Sequence, residues 1–313
     1  MILIKFICAI ATRSMFILVS LIAVLRVTWV KNNNLYWFLT FLYLPLVVEM
    51  IFTLKRRKGK DYKWFSPPIL LFLVSIIPSM WILELAHQQN KANDHQNLQC
   101  KKLDSMTSWK SIINTLRNTT SNNETFMDSF KLLSSVCDDD WILQLHQYLL
   151  ILLIVGKWLL PLGGGVTRGQ LAQLLLSFVG TAADILEFTT ETLSDVKDTN
   201  PNLVYLILAV WTWSMVQFPL HLSVVNSRPE ELGEGQSESL LQKHRTDIWD
   251  IAQSLFIQDG PFLAVRLMIM IYFEVLHPML VFFTIKNILM ILLNLYHLFV
   301  ICQDYRSTAS SVP

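Results

Sequence analysis

Charge is scarce in this sequence: Asp, Glu, Lys and Arg make up 16% of its 313 residues, against about 25% in soluble domains. That deficit argues against a water-soluble fold. The signatures of common enzymes are also missing. There is no H-E-x-x-H, no G-x-S-x-G, no glycine-rich loop ending in Gly-Lys-Ser/Thr, and the four cysteines include no Cys-x-x-Cys pair. Zinc hydrolysis, serine hydrolysis, thiol redox chemistry and nucleotide phosphate binding each lose their usual sequence support. The chain is therefore expected not to be an enzyme, with no catalytic residue, no metal and no cofactor. A basic face for nucleic acid is missing too, because the lysines and arginines stand in short clusters beside apolar runs, so no nucleic-acid partner is expected.

Hydrophobic residues, by contrast, make up 53% of the chain. They gather into runs of about 20, the length a helix needs to cross a hydrocarbon core of about 30 Å. Eight runs are expected to span a bilayer: 7–29, 35–54, 66–86, 141–160, 170–191, 202–225, 262–276 and 279–302. The first has a basic Lys5 before it, as a secretory leader would. No small-x-small cleavage site follows before Arg26, so it is read as a retained span.

The second run ends in Lys55-Arg56-Arg57-Lys58-Gly59-Lys60. The five basic residues of this hexamer, in one short loop (55–63), belong in the cytoplasm by the positive-inside rule, which also places the N-terminus there. The third run then exits, and the polar segment 87–140 lies on the lumenal or extracellular side. That segment holds two N-glycosylation acceptors, Asn118-Thr119-Thr120 and Asn123-Glu124-Thr125, and two cysteines, Cys100 and Cys137. Glycosylation and a disulfide are the natural readings in an oxidising compartment, with free thiols the alternative. Five further spans fill 141–302, and 303–313 form a cytoplasmic tail.

The fifth run carries the most informative pattern. Gln170, Gln173, Ser177, Gly180, Asp184, Glu187 and Glu191 recur every three or four residues, which makes a polar stripe on one helix. Carboxylates cost several kcal/mol in hydrocarbon, about 2.5 at the least, so the stripe must face the bundle interior or water. Asp184 lies about 10 Å from the outer end by helical rise. Lys286 on the last run is at a similar depth, and Arg266 is about a turn deeper, so these two are its candidate partners. The bland alternative is that such charges serve as glue between helices. His146, Lys157, Gln217, His221, Asn287, Asn294 and His297 are further polar positions within the runs. Glu49 and Glu84 lie near span ends, where snorkelling or loop contacts suffice.

Residues from Asp247 to Gln258 read as an amphipathic helix, with Gln258 on its polar side, interrupted at Asp259-Gly260-Pro261. Gly-Pro is expected to stop one helix and Asp259 to cap the next. The 15 residues of 262–276 rise only about 22 Å, so the segment is read either as a thin span after an interfacial helix or as one broken helix. Broken helices recur at transporter binding sites.

Five strings complete the reading: KGKDYKWFSP (58–67), KWLLPLGGGVTRGQL (157–171), FVGTAADILEFTTETL (178–193), VWTWSMVQFPL (210–220) and FIQDGPFLAVRL (256–267). In this order they resemble the transmembrane protein 26 family. The resemblance covers nearly the whole membrane part. It implies a multi-pass membrane protein and offers no catalytic residues to carry over.

The expectation is thus an all-α polytopic bundle of about eight spans with both termini cytoplasmic, in the plasma membrane or endoplasmic reticulum, with the lipid bilayer as partner. The favoured function is transporter- or channel-like, with a buried polar site of Asp184, Glu187, Arg266, Lys286, Gln173, Ser177 and Asp259. The alternative is a scaffold or receptor-like protein that meets a protein partner through its glycosylated loop.

Overall fold

The computed structural model describes residues 2–57, 65–93, 110, 137–160, 168–192, 201–220, 245–272, 274 and 276–310. Asn118, Asn123, Cys100 and His221 lie outside the described residues. Among the described residues, eight helices follow in order: α1 (Ile2–Lys31), α2 (a 3₁₀ stretch Asn34–Tyr43 continued by Leu44–Arg57), α3 (Pro67–Asn93), α4 (Asp138–Leu159), α5 (Arg168–Glu187, prolonged by a π turn Phe188–Thr192), α6 (Pro201–Met215), α7 (Arg245–Tyr272) and α8 (Pro278–Ser310). The expected all-α membrane architecture is thus observed. Seven of these are long and apolar enough to cross a membrane, and the apolar part of α6, Leu203–Met215, is shorter.

The short sixth helix is continued by turns at 216–219 and a bridge residue, Leu220. Ser66 donates its backbone N–H to the Pro219 carbonyl at 2.8 Å, and Phe65 and Leu220 form an isolated antiparallel bridge. Farther along α3, Trp81 donates to Thr212 Oγ1 at 2.9 Å and its ring meets Tyr205 at 6.4 Å. Segment 201–220 therefore lies antiparallel along residues 66–81.

Helices α1, α3, α4 and α6 supply many of the core's buried side chains. Within a bilayer, helices associate through van der Waals contact and hydrogen bonds rather than hydrophobic burial, so small residues at crossings count. Phe16 of α1 stacks on Phe72 of α3 at 4.4 Å, and Ser20 and Ser75 share a buried hydrogen bond of 2.9 Å. Gly156 of α4 stands so close that a Cβ there would lie 2.5 Å from Phe16 Cζ. The second helix, by contrast, faces outward. A 3₁₀ helix eclipses every third side chain, and Leu35, Phe38, Phe41 and Leu44 form one exposed apolar ridge suited to lipid.

The break expected at Asp259-Gly260-Pro261 is overturned: α7 is helical without interruption from Arg245 to Tyr272, and Asp259 caps nothing. Residues Ser254–Asp259 form a π turn instead, and Gly260 sits in the right-handed helical region with its N–H bonded to Leu255 O, five residues back. The wider turn removes the clash that proline causes in an α-helix. It also needs glycine, because a Cβ on residue 260 would stand 2.3 Å from Leu255 O. Residues Ile248–Tyr272 form one crossing of ordinary length.

Candidate functional site

Three helices bring five charges together. From α5 come Asp184 and Glu187, one turn apart on the same face. Lys286 of α8 reaches both, at 2.5 Å to Asp184 Oδ1 and 3.1 Å to Glu187 Oε2. Arg266 of α7 pairs with the other oxygen of Glu187 and donates to the Phe283 carbonyl at 3.3 Å. Its guanidinium lies 5.6 Å from the Phe188 ring and 5.4 Å from the Phe283 ring, close enough for cation–π attraction on both. Phe188 is in turn stacked on Phe262 at 4.1 Å.

The cluster grades from closed to open. The Arg266 side chain is 1% exposed and that of Glu187 15%, whereas Lys286 and Asp184 are 30% and 31% exposed. Desolvated pairs with good geometry hold strongly, since removing either partner strands a charge. The half-open Asp184–Lys286 pair can exchange partners at far lower cost.

Two π turns frame this cluster, and π turns are common at functional sites. In α5 the turn begins at Phe188, where Thr189 and Thr190 bond back to the Ile185 and Leu186 carbonyls at 2.9 Å and compete with the regular ladder. In α7 the turn rotates Gln258 and Asp259 inward together. Gln258 donates to Asp184 Oδ2 at 2.9 Å, which moves it from the polar outer side expected of an unbroken α-helix. Asp259, 3% exposed, accepts from Ser254 Oγ at 2.5 Å, and Ser254 accepts from Asn294 Nδ2 of α8 at 3.0 Å.

The sequence-derived site divides accordingly. Asp184, Glu187, Arg266, Lys286 and Asp259 converge. Gln173 and Ser177 do not: both are exposed on the outer face of α5, with the exposed Gly180 between Ser177 and Asp184. Gln258, Ser254 and Asn294 complete the cluster. Their spacing along an ideal α-helix hides the first two, because the π turn shifts the helical register.

Two further ion pairs tie the bundle elsewhere. Arg13 of α1, fully buried, forks onto Glu49 of α2 through Nε and a terminal nitrogen, each at 2.8 Å, and Thr53 donates to the same carboxylate at 2.6 Å. Glu49 is thus a buried partner, not a snorkelling end group. An arginine inside the apolar run 7–29 was the available signal. At the other end Arg26 reaches Asp138 at 2.6 Å and lies 5.1 Å from the Trp141 ring. His146 is buried, with Nδ1 3.0 Å from Ile142 O and its ring edge-on to Trp211 at 5.0 Å, as a packing residue would be. Lys157, Gln217 and Asn287 are also buried, while His297 is exposed. Among the described residues, no three of His, Cys, Asp and Glu are placed to hold a metal ion.

Apolar helices of membrane-spanning length, joined by buried ion pairs, define a polytopic helical membrane protein. Residues 3–297 match the family model of transmembrane protein 26. The chain belongs to that family. No solved structure matches it.

Proposed function

We propose that this protein is transporter- or channel-like and that its pathway follows the α5 face leading to the Asp184–Lys286 pair. One observation carries the reading: Gln173, Ser177 and Gly180 are exposed on the side of α5 that ends in half-exposed Asp184. Hydrocarbon is a poor neighbour for such a face, whereas water or a solute is a good one. The half-open ion pair supplies exchangeable charge at its inner end, and the π turns supply local backbone freedom. The reading places the protein outside the enzymes.

The topology that goes with it has both termini in the cytoplasm and segment 87–140 outside, N-glycosylated at Asn118 and Asn123 and joined by a disulfide between Cys100 and Cys137. Supporting this are the basic loop after α2 and the two acceptors on one long polar segment. Cys8 and Cys302 are free. The plasma membrane and the endoplasmic reticulum both meet these requirements.

Cysteine scanning tests the pathway. In a background lacking Cys8 and Cys302, Gln173→Cys, Ser177→Cys and Gly180→Cys should react with a membrane-impermeant thiol reagent, while Leu174→Cys, on the buried side of α5, should not. Uniform protection of all four positions would sink the reading. Oxidative cross-linking of Ser177→Cys between copies would instead support the scaffold alternative, which is favoured by the closed Arg266–Glu187 pair held between Phe188 and Phe283.

A further inference from the structure

We propose that Asp259 is a binding site for a small monovalent cation, with a proton as its resting occupant. The inference uses the same cluster as the proposed pathway but does not need flux: a protein that moves nothing can still hold the cation.

Asp184, Glu187 and Asp259 offer three carboxylates to two cations, Arg266 and Lys286. Both cations are engaged, Arg266 by Glu187 and Lys286 by Asp184 and Glu187, so one negative charge is left over. It falls on Asp259, whose side chain meets only the Ser254 hydroxyl among the described residues. Asp259 is 3% exposed. A bare carboxylate at such a position, within a membrane-crossing helix, is strongly disfavoured and takes up a proton or a counter-cation.

The surroundings fit an occupant. Arg266 shares its helix, and the charges of Asp184 on α5 and Lys286 on α8 act on it together with that of Arg266. Asp250 and His297 are exposed. A hydroxyl can donate or accept, so the 2.5 Å contact with Ser254 serves either a carboxylate or a carboxylic acid. Its oxygen and the Asp259 carboxylate are the hard ligands an alkali cation prefers. Asn294 of α8 donates to the Ser254 oxygen at 3.0 Å, so side chains of α7 and α8 together fix the hydroxyl that meets Asp259.

The test is thermal unfolding of the full-length protein in nanodiscs, from mildly acidic to mildly alkaline pH, with sodium or a bulky organic cation as the salt. With a proton in place, the folded state holds a proton that the unfolded chain releases, so the melting temperature should fall as pH rises. Asp259→Asn, which mimics the neutral acid, should melt like acid wild type and lose that slope, whereas Asp184→Asn should melt lower at every pH and keep it. A wild-type melting temperature that ignores pH but rises with sodium, through a response abolished by Asp259→Asn, would assign an alkali cation instead. An Asp259→Asn variant that melts as low as Asp184→Asn or fails to fold, beside a wild type indifferent to pH and sodium, overturns the proposal. If Asp259→Asn does not fold and wild type does respond, Ser254→Ala decides: a weakened response supports the site, and an unchanged one overturns it. A protected α5 face with a cation-loaded Asp259 would remove only the pathway. A labelled α5 face with an indifferent Asp259 would remove only this inference.

Discussion

Trp213 donates its indole N–H to the Phe256 carbonyl at 3.1 Å, and this bond accounts for how a Gly-Pro pair sits inside a membrane helix. Gly260 bonds to Leu255, and Pro261 has no N–H to offer. The Phe256 carbonyl is left without a helical donor, and a side chain from α6 supplies one.

Gly260→Ala should destabilise the protein by about 1–3 kcal/mol, since the added methyl meets a backbone oxygen that cannot move aside without reshaping the turn. Trp213→Phe, which leaves an exposed carbonyl of a membrane-crossing helix without a donor, should cost about 1–3 kcal/mol. Thermal melts in nanodiscs read both, and wild-type stability in Gly260→Ala would refute the π turn.

Within the charge cluster, Glu187→Gln should be the most harmful single change, at about 3–5 kcal/mol, because Arg266 is left buried without a counter-charge. Asp184→Asn should cost less, since its pair with Lys286 is about 30% exposed on either side and surface-like pairs contribute about 0–1 kcal/mol. Adding Lys286→Met to Asp184→Asn should recover part of the loss if the pair serves structure alone. Unfolding of the two single variants and the double variant gives the coupling. Equal costs for Glu187→Gln and Asp184→Asn would contradict the graded burial.

The Arg13–Glu49 pair should behave as a structural tie. Glu49→Gln should lower stability by about 3–5 kcal/mol, while Arg13→Met combined with Glu49→Leu should be neutral or stabilising, as replacement of closed ion pairs by apolar side chains often is, by about 1–4 kcal/mol. Delivery to the membrane and melting temperature are the readouts. A double variant that folds but loses flux would move this pair into the functional site.

On the outer segment, Asn118→Gln and Asn123→Gln should each remove one glycan, seen as a stepwise mobility increase matched by glycosidase digestion. Cys100→Ser should abolish a mobility shift between reducing and non-reducing gels. Unchanged mobility in all three variants would place segment 87–140 on the cytoplasmic side.

Part of the site was legible from spacing. Asp184 and Glu187 stood out because charges in an apolar run at intervals of three are costly unless they share an inward face. Lys286 and Arg266 were the right partners because depth alone restricts the choice. Gln173 and Ser177 were misplaced by the same logic. Periodicity says that residues share a face, but not which neighbour covers it. Gln258 was lost for a different reason, since the π turn inserts a residue into the helical period and carries it from the outer side to Asp184.

By itself the sequence determined the membrane class and the positions of most of the apolar helices, though not the start of α7, because bilayer thickness and side-chain hydropathy act on each segment separately. Which charge meets which was decided only by tertiary structure. Lys286 and Asp184 are 102 residues apart, Gln258 and Asp184 are 74 apart, and Arg13 and Glu49 are 36 apart. Such pairings depend on how helices rotate and slide against one another. A fractional turn, like those made at Ser254–Asp259 and Phe188–Thr192, exchanges one partner for another without altering the hydropathy of any segment.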